Sequence, residues 1–420
     1  MKKHFFFIVI GLFLFKTDTA AQRLIKNDSI TYPIRNPLIS EDGTEIKTVR
    51  QWEDIRRPEL YKLFEQQEYG EVPEGIKVRF KEIYASSDYL QGKVTIREFE
   101  MSVNDELTPQ MHILFFIPNG TEGKVPAIIG YNWDGNHTLC TDTSVFMPSR
   151  EQIEKRAVPY RVNDLLSRSR GLDKDTPVEQ ITDNGYAYVT ACYWELEPDN
   201  NNFYSVGVRA LANKGKPLAE NQWGAVAAWA WGMSRMLDCA ESVKEIDVTR
   251  CAATGHSRLG KTALWAGASD KRFAVVTSND SGCAGAALSK RVSGETVEAI
   301  NTGFPYWFCK NFHRYNGKED ELPMDQHELL ALIAPRPLYV CSGVKDLWAD
   351  PLGEYLSVVY ANPVYRLYGK QPMPYTENFL PPVNTPQAGD VAYHVEDAEH
   401  LFGAYDWEQF LSFFDKYLKN

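Results

Sequence analysis

Hydrophobic positions along this chain fall into short runs divided by polar turns, and two periods alternate through most of its length. Trp52 to Gln67 carries apolar residues at helical spacing. Val78 to Pro118 holds several strand-like runs and ends in His112-Ile-Leu-Phe-Phe-Ile117. Pro126-Ala-Ile-Ile-Gly-Tyr131 and Tyr186 to Tyr193 read as buried strands, with a polar insertion from Ser149 to Asp183 between them. Asn221 to Val243 reads as a long apolar helix. Asp247 to Thr254 is then a strand, Leu259 to Ala268 a helix, and Phe273 to Thr277 and Pro337 to Ser342 strands. Val391 to Val395 is the last strand and Trp407 to Leu418 the last helix. Strands that alternate with helices predict an α/β fold whose mostly parallel central sheet is covered on both faces, a three-layer sandwich. In such sheets reactive groups gather beyond the carboxyl ends of the strands. No internal repeat interrupts the pattern, and residues 22–45 read as a polar lead-in. Residues 22–420 are therefore expected to form one domain with an N-terminal extension and insertions.

The first 21 residues stand apart. Met1-Lys2-Lys3-His4 is basic, Phe5 to Phe15 is almost wholly apolar, and Thr19-Ala20-Ala21 is small. That order is the signature of a secretory signal peptide. An apolar run of about eleven residues is too short for a bilayer, which needs roughly 20 helical residues. The mature chain is expected to be exported, periplasmic or secreted, and free of the membrane. With a net charge of −11 and no basic stripe, it is not expected to bind nucleic acid. Its 10 Trp and 22 Tyr suit a surface that meets sugar rings. The seven cysteines show neither a CxxC pair nor Cys/His metal spacing, so no metal and no cofactor is expected. Several sit in apolar runs, where buried free thiols are the plainer reading. A monomer is expected.

Chemistry concentrates in Cys251-Ala-Ala-Thr-Gly-His-Ser-Arg-Leu-Gly-Lys261. A strand runs into Gly255-His256-Ser257-Arg258 and straight on into a helix, the context of the nucleophile elbow of the α/β-hydrolase fold. The tight turn exposes the serine hydroxyl, and the helix N-terminus favours the charge that develops beside it. The usual motif is G-x-S-x-G, but here position 259 is Leu and the glycine follows at Gly260. A serine at this place can also merely cap the helix. In this fold the chain order is Ser, then acid, then His. His400, in the loop between the last strand and the last helix, stands where the base belongs. Two acids compete to orient it: Asp346 after the Pro337 strand, which is favoured, and Asp280 after the Phe273 strand. Arg258 adjoins the serine and can face an oxyanion, and Lys261 lies on the same helix face four residues on. The loop Gly130-Tyr-Asn-Trp-Asp-Gly-Asn-His-Thr138 follows an early strand, where this fold places oxyanion donors.

These segments resemble the bacterial glucuronoyl esterases of carbohydrate esterase family fifteen. Besides the Gly130 loop and the Ser-Arg-x-Gly-Lys elbow, the resemblance rests on Trp229-Ala-Trp-Gly-Met-Ser-Arg, Ser278-Asn-Asp-Ser-Gly-Cys and Asp325-Gln-His-Glu-Leu-Leu-Ala-Leu-Ile-Ala-Pro-Arg-Pro. It covers the chain from about residue 50 to the end. The resemblance implies a serine esterase that cleaves the ester between a 4-O-methyl-glucuronic acid branch of xylan and a lignin alcohol. It implies Ser257 as nucleophile, His400 as base and Arg258 as oxyanion arginine. It also implies Lys261, Glu295 and Trp348 as the residues that bind the sugar acid, and allows the triad acid at either Asp280 or Asp346. Two other readings remain. One is an acetyl-xylan or other carbohydrate O-deacetylase, in which the sugar is the alcohol. The other is a catalytically silent sugar-binding protein on the same fold.

Overall fold

Among the described residues, ten strands hydrogen-bond into one sheet. They are β1 (Val78–Asp88), β2 (Val94–Val103), β3 (Met111–Pro118), β4 (Val125–Ile129) and β5 (Ala187–Ala191), followed by β6 (Ile246–Ala253), β7 (Val275–Asn279), β8 (Leu338–Gly343), β9 (Gln387–Ala388) and β10 (Val391–Glu396). Their order across the sheet is β1-β2-β3-β5-β4-β6-β7-β8-β10-β9. The run from β5 to β10 is parallel, while β1, β2 and β3 form an antiparallel wing on one side and β9 closes the other. The fold is the α/β-hydrolase fold. This computed structural model describes residues 34–419, apart from 105, 107, 109, 174, 203–204, 215 and 217–218. The expected signal segment, residues 1–21, lies outside the described residues.

Period-two alternation splits the strands between two cores. Phe115, Ile129, Val189, Ala253, Val276 and Val340 face one side, where the helices Ala225–Glu241, Arg258–Ser269 and Pro351–Leu367 cover them. Their neighbours Phe116, Ile128, Tyr188, Ala252, Val275 and Tyr339 face the other side, beneath Trp407, Phe410 and Phe414 of the helix Ala404–Leu418. Sandwiching on both faces explains why β3, β4, β5, β7, β8 and β10 are buried at every residue, while the edge strand β1 is mostly exposed.

Three features depart from the sequence pattern. The polar insertion is not structureless: it carries the short helices Arg150–Arg156, Val162–Ser167 and Val178–Asp183. The expected helix from Asn221 starts later, at Ala225, because the Trp223 and Gly224 amides donate to the Glu71 and Tyr69 carbonyls and Gly224 packs against the segment at Trp307. A Cβ on Gly224 would stand 2.1 Å from the Trp307 carbonyl oxygen. The helix Pro351–Leu367 was not marked by any periodic stripe, since nearly all its faces are buried and it contains Pro351 and Pro363. All seven cysteines are buried and unpaired. No described helix is long and apolar enough to cross a membrane.

Candidate active site

Four loops leave the carboxyl ends of adjacent parallel strands and converge. The loop after β6 carries Ser257, that after β7 Asp280, that after β8 Asp346, and that after β10 His400. Ser257 has φ 57 and ψ −128, a backbone conformation that costs about 1–3 kcal/mol for a residue with a side chain and turns its hydroxyl outward. The surroundings hold it there. The Ser257 amide donates to the Asn279 carbonyl at 2.9 Å, and the Ser257 carbonyl accepts from the Gly260 and Lys261 amides at 2.9 and 3.1 Å. The displaced glycine of the motif has a steric cause: a Cβ at Gly260 would meet Ser278 Oγ at 2.8 Å and Ser281 Cβ at 3.0 Å. Leu259, by contrast, points into the core and is buried.

The side chains then line up. His400 Nε2 stands 2.8 Å from Ser257 Oγ, and His400 Nδ1 stands 2.5 Å from Asp346 Oδ2. The Ala349 amide holds the other Asp346 oxygen at 3.1 Å. Burial alone would raise the Asp346 carboxyl, but its bond to His400 and the histidine charge outweigh that, so it sits below its usual range and stays ionised. Of the two acids, the geometry therefore joins Asp346 to His400. Asp280 is close by, with φ 44, but its Oδ1 accepts from the Gly343 amide at 2.8 Å and its Oδ2 has no protein partner among the described residues. Burial first, and the neighbouring Glu354 and Asp346 carboxylates second, hold the Asp280 carboxyl well above its usual range. Glu354 is itself pushed up to about 7, chiefly by burial, and ties the two acid loops together through Ser281, Gly282 and Ser342.

The eight candidate catalytic and sugar-binding residues line one cavity of about 350 Å³: Ser257, Arg258, Lys261, Asp280, Glu295, Asp346, Trp348 and His400. Lys261 Nζ donates to the Ser281 and Cys283 carbonyls at 2.5 and 2.7 Å and pairs with Glu295 at 3.5 Å. Glu295 and Trp348 stand side by side because the Glu295 amide donates to the Trp348 carbonyl at 2.8 Å, with the Trp348 side chain left 59% exposed. Arg258 lies under the rings of Trp307, Phe304 and Trp133, at 4.6, 5.1 and 5.5 Å from their centroids. Its Nη1 pairs with the buried Asp199 and its Nη2 donates to the Tyr160 hydroxyl at 2.9 Å. Burial opposes the Arg258 charge, but Asp199 outweighs it and holds the guanidinium protonated. The Arg258 amide opens the elbow helix, where no intrahelical acceptor exists for it.

On the far side of His400 lies a second cavity of about 330 Å³, between the Gly130 loop and the insertion. His256 forms part of its wall. Burial, then the neighbouring His400, push the His256 ring down to about 3, so it is neutral at physiological pH and bonds to Asn279. Sequence reasoning did not single out Asp199, Tyr160, Trp307, Glu354 or His256. Asp199 is separated from its partners Arg258, Tyr306 and Trp307 by 59, 107 and 108 residues, and no local pattern announces such contacts.

Two described clusters have metal-ligand chemistry, Asp280 with Asp346 and His400, and Cys341 with His394 and Asp406. In both, the imidazole nitrogens are already engaged: those of His400 by Ser257 and Asp346, and those of His394 by Tyr339 and Asp406. A metal at either place would have to break those bonds.

Comparison with known proteins agrees with this arrangement. A family model described as glucuronyl esterase, fungi, matches residues 218–369. The chain is 39% identical over 391 residues to carbohydrate esterase MZ0003 from an unknown prokaryotic organism, covering 92% of this chain and 90% of that one. It is 34% identical over 351 residues to 4-O-methyl-glucuronoyl methylesterase of Phanerochaete carnosa, covering 80% and 72%. The solved structure of a glucuronoyl esterase from Solibacter usitatus superposes with a TM-score of 0.83 at 35% identity, over 92% of this chain and 99% of that one.

Proposed function

The chain belongs to the glucuronoyl esterases of carbohydrate esterase family fifteen, and we propose that it cleaves the ester between a (4-O-methyl-)glucuronic acid branch of xylan and a lignin alcohol through a glucuronoyl-Ser257 intermediate. It is a carboxylic ester hydrolase. The observation that carries the serine mechanism is the unbroken run from Ser257 Oγ through His400 to Asp346, opening on a cavity walled by Lys261, Glu295 and Trp348.

His400 Nε2 takes the Ser257 proton as Oγ attacks the uronate carbonyl carbon. Asp346 steadies the imidazolium that forms. The carbonyl oxygen becomes an oxyanion beside Arg258, whose guanidinium and amide stabilise it, each such donor contributing about 3–4 kcal/mol in comparable sites. His400 then gives its proton to the departing alkoxide, and the alcohol leaves. Water enters on the same side, His400 takes its proton, and the second tetrahedral intermediate collapses to release glucuronic acid and restore the Ser257 hydroxyl. Lys261 and Glu295 line the same cavity as Ser257, which supports a large hydroxylated acyl group over an acetyl group. Export with loss of residues 1–21, and a monomeric mature chain, belong to the same proposal.

Hydrolysis of benzyl glucuronate against p-nitrophenyl acetate, by the parent and by Ser257→Ala, tests the reading. Preference for the glucuronate, abolished in Ser257→Ala, is expected. Preference for the acetate would replace it with a deacetylase, and full activity in Ser257→Ala would remove Ser257 from the mechanism.

A further inference from the structure

The pose of Arg258 is set from behind. A guanidinium presents five N–H donors in a rigid fork, so its orientation decides which of them meets a developing oxyanion. Asp199 is fully buried and accepts four donors. Arg258 Nη1 and the Tyr193 hydroxyl reach its Oδ2, the latter at 2.7 Å, while the Tyr306 hydroxyl and Trp307 Nε1 reach its Oδ1 at 3.0 and 2.8 Å. With its lone pairs filled, this carboxylate cannot turn. The Tyr160 hydroxyl fixes the second terminal nitrogen from the insertion side, at 2.9 Å. Arg258 lines the same cavity as Ser257.

The loop that carries Asp199 is itself clamped. Glu197 pairs with Arg209 at 2.7 Å, both buried, and Gly207, at φ 95, lies so close that a Cβ there would stand 2.6 Å from Glu197 Oε2. A buried ion pair is weak evidence for stability, because apolar groups of the same shape often serve the fold as well. What Asp199 supplies that an apolar residue does not is direction.

We propose that Asp199 is a positioning residue of the reaction: it fixes the direction of the Arg258 guanidinium, so that the N–H donors left unengaged on the cavity side meet the oxyanion. The proposal rests on the oxyanion role of Arg258 given above, and the test separates the two.

The experiment is a double-mutant cycle of Asp199→Asn, Arg258→Leu and the two combined, read as kcat and KM on benzyl glucuronate, with folding checked by near-ultraviolet circular dichroism. Arg258→Leu is expected to lower kcat roughly 10²–10³-fold, and Asp199→Asn to lower it by at least about tenfold with KM nearly unchanged. The double variant is expected to match Arg258→Leu alone, since a residue that acts only through Arg258 then has nothing left to orient. A purely structural role lowers kcat by the same factor in both backgrounds, so a double variant showing the product of the two losses overturns the proposal. Parent-level kcat in Asp199→Asn overturns it as well, while leaving the esterase reading intact. Parent-level kcat in Arg258→Leu removes the oxyanion role and the Asp199 proposal with it, and the Ser257→Ala result still decides the esterase reading separately. Should Asp199→Asn fail to fold, Asp199→Glu, which keeps the charge but moves it by one methylene, enters the same cycle.

Discussion

Asp346 and Asp280 lie within reach of one another and of His400, and their exchange for asparagine separates them sharply. In Asp346→Asn an amide replaces the carboxylate 2.5 Å from His400 Nδ1. If the amide nitrogen faces the ring, Nδ1 must accept, the imidazole proton moves to Nε2, and His400 can no longer take the Ser257 proton. If the amide oxygen faces it, the imidazolium loses the counter-charge bonded to it. Either way the triad fails at its base, and the expected loss in kcat is about 10³–10⁴-fold, or about 4–5.5 kcal/mol at 1.36 kcal/mol per decade. Asp280→Asn keeps the acceptor that holds the Gly343 amide and replaces a carboxyl whose ionisation burial already disfavours. Its expected loss is under about tenfold, or about 1.4 kcal/mol. The assay is kcat on benzyl glucuronate at pH 7 for both variants, with thermal unfolding as the check on folding. A larger loss in folded Asp280→Asn than in Asp346→Asn would refute the reasoning, because the short contact to His400 would then not mark the working acid.

Two further outcomes follow from the structure. Glu68 is fully buried, and burial pushes its carboxyl from the usual 4.5 up to about 8, so the folded state keeps a proton that the unfolded chain releases. Its contribution to stability is full below pH 4.5 and is lost as the pH rises to about 8, a difference of a few kcal/mol. Urea unfolding between pH 5 and 9 should therefore show a weaker decline in Glu68→Gln than in the parent, and parallel declines would rule this out. Gly255→Ala would place a Cβ 2.0 Å from the Leu259 carbonyl oxygen. Relief requires the first turn of the elbow helix to shift, and loss of at least about 10²-fold in kcat/KM is expected, since small misplacements at a reacting centre carry losses of that size.

What could be read before the structure was known follows from how far apart in sequence the interacting residues stand. The elbow is local: a strand, a glycine, a serine and a helix start fall within eleven residues, Cys251 to Lys261, and their order alone announces the turn. His400 was legible because the fold ties chain order to chemistry. Between Asp346 and Asp280 the sequence favoured Asp346 without excluding Asp280, because both follow a buried strand of the same sheet. Asp280, at φ 44, turns its carboxylate onto Gly343, whereas Asp346 faces the imidazole. The helix Pro351–Leu367 escaped because its prolines read as breakers and its burial on nearly all sides erases the stripe that periodicity detects. In fact Pro351 opens the helix, where its missing N–H is not needed.

Asp199 marks the limit of such reading. Nothing in Glu195-Leu-Glu-Pro-Asp199 distinguishes a surface acid loop from the anchor of a buried arginine, and only the convergence of donors from Tyr193, Arg258, Tyr306 and Trp307 does so. The residues that carry out bond changes must sit on rigid, strand-ending turns, so they leave local patterns. The residues that orient them need only be near in space. Local sequence patterns in this chain therefore report its proposed reacting groups far better than the groups that aim them.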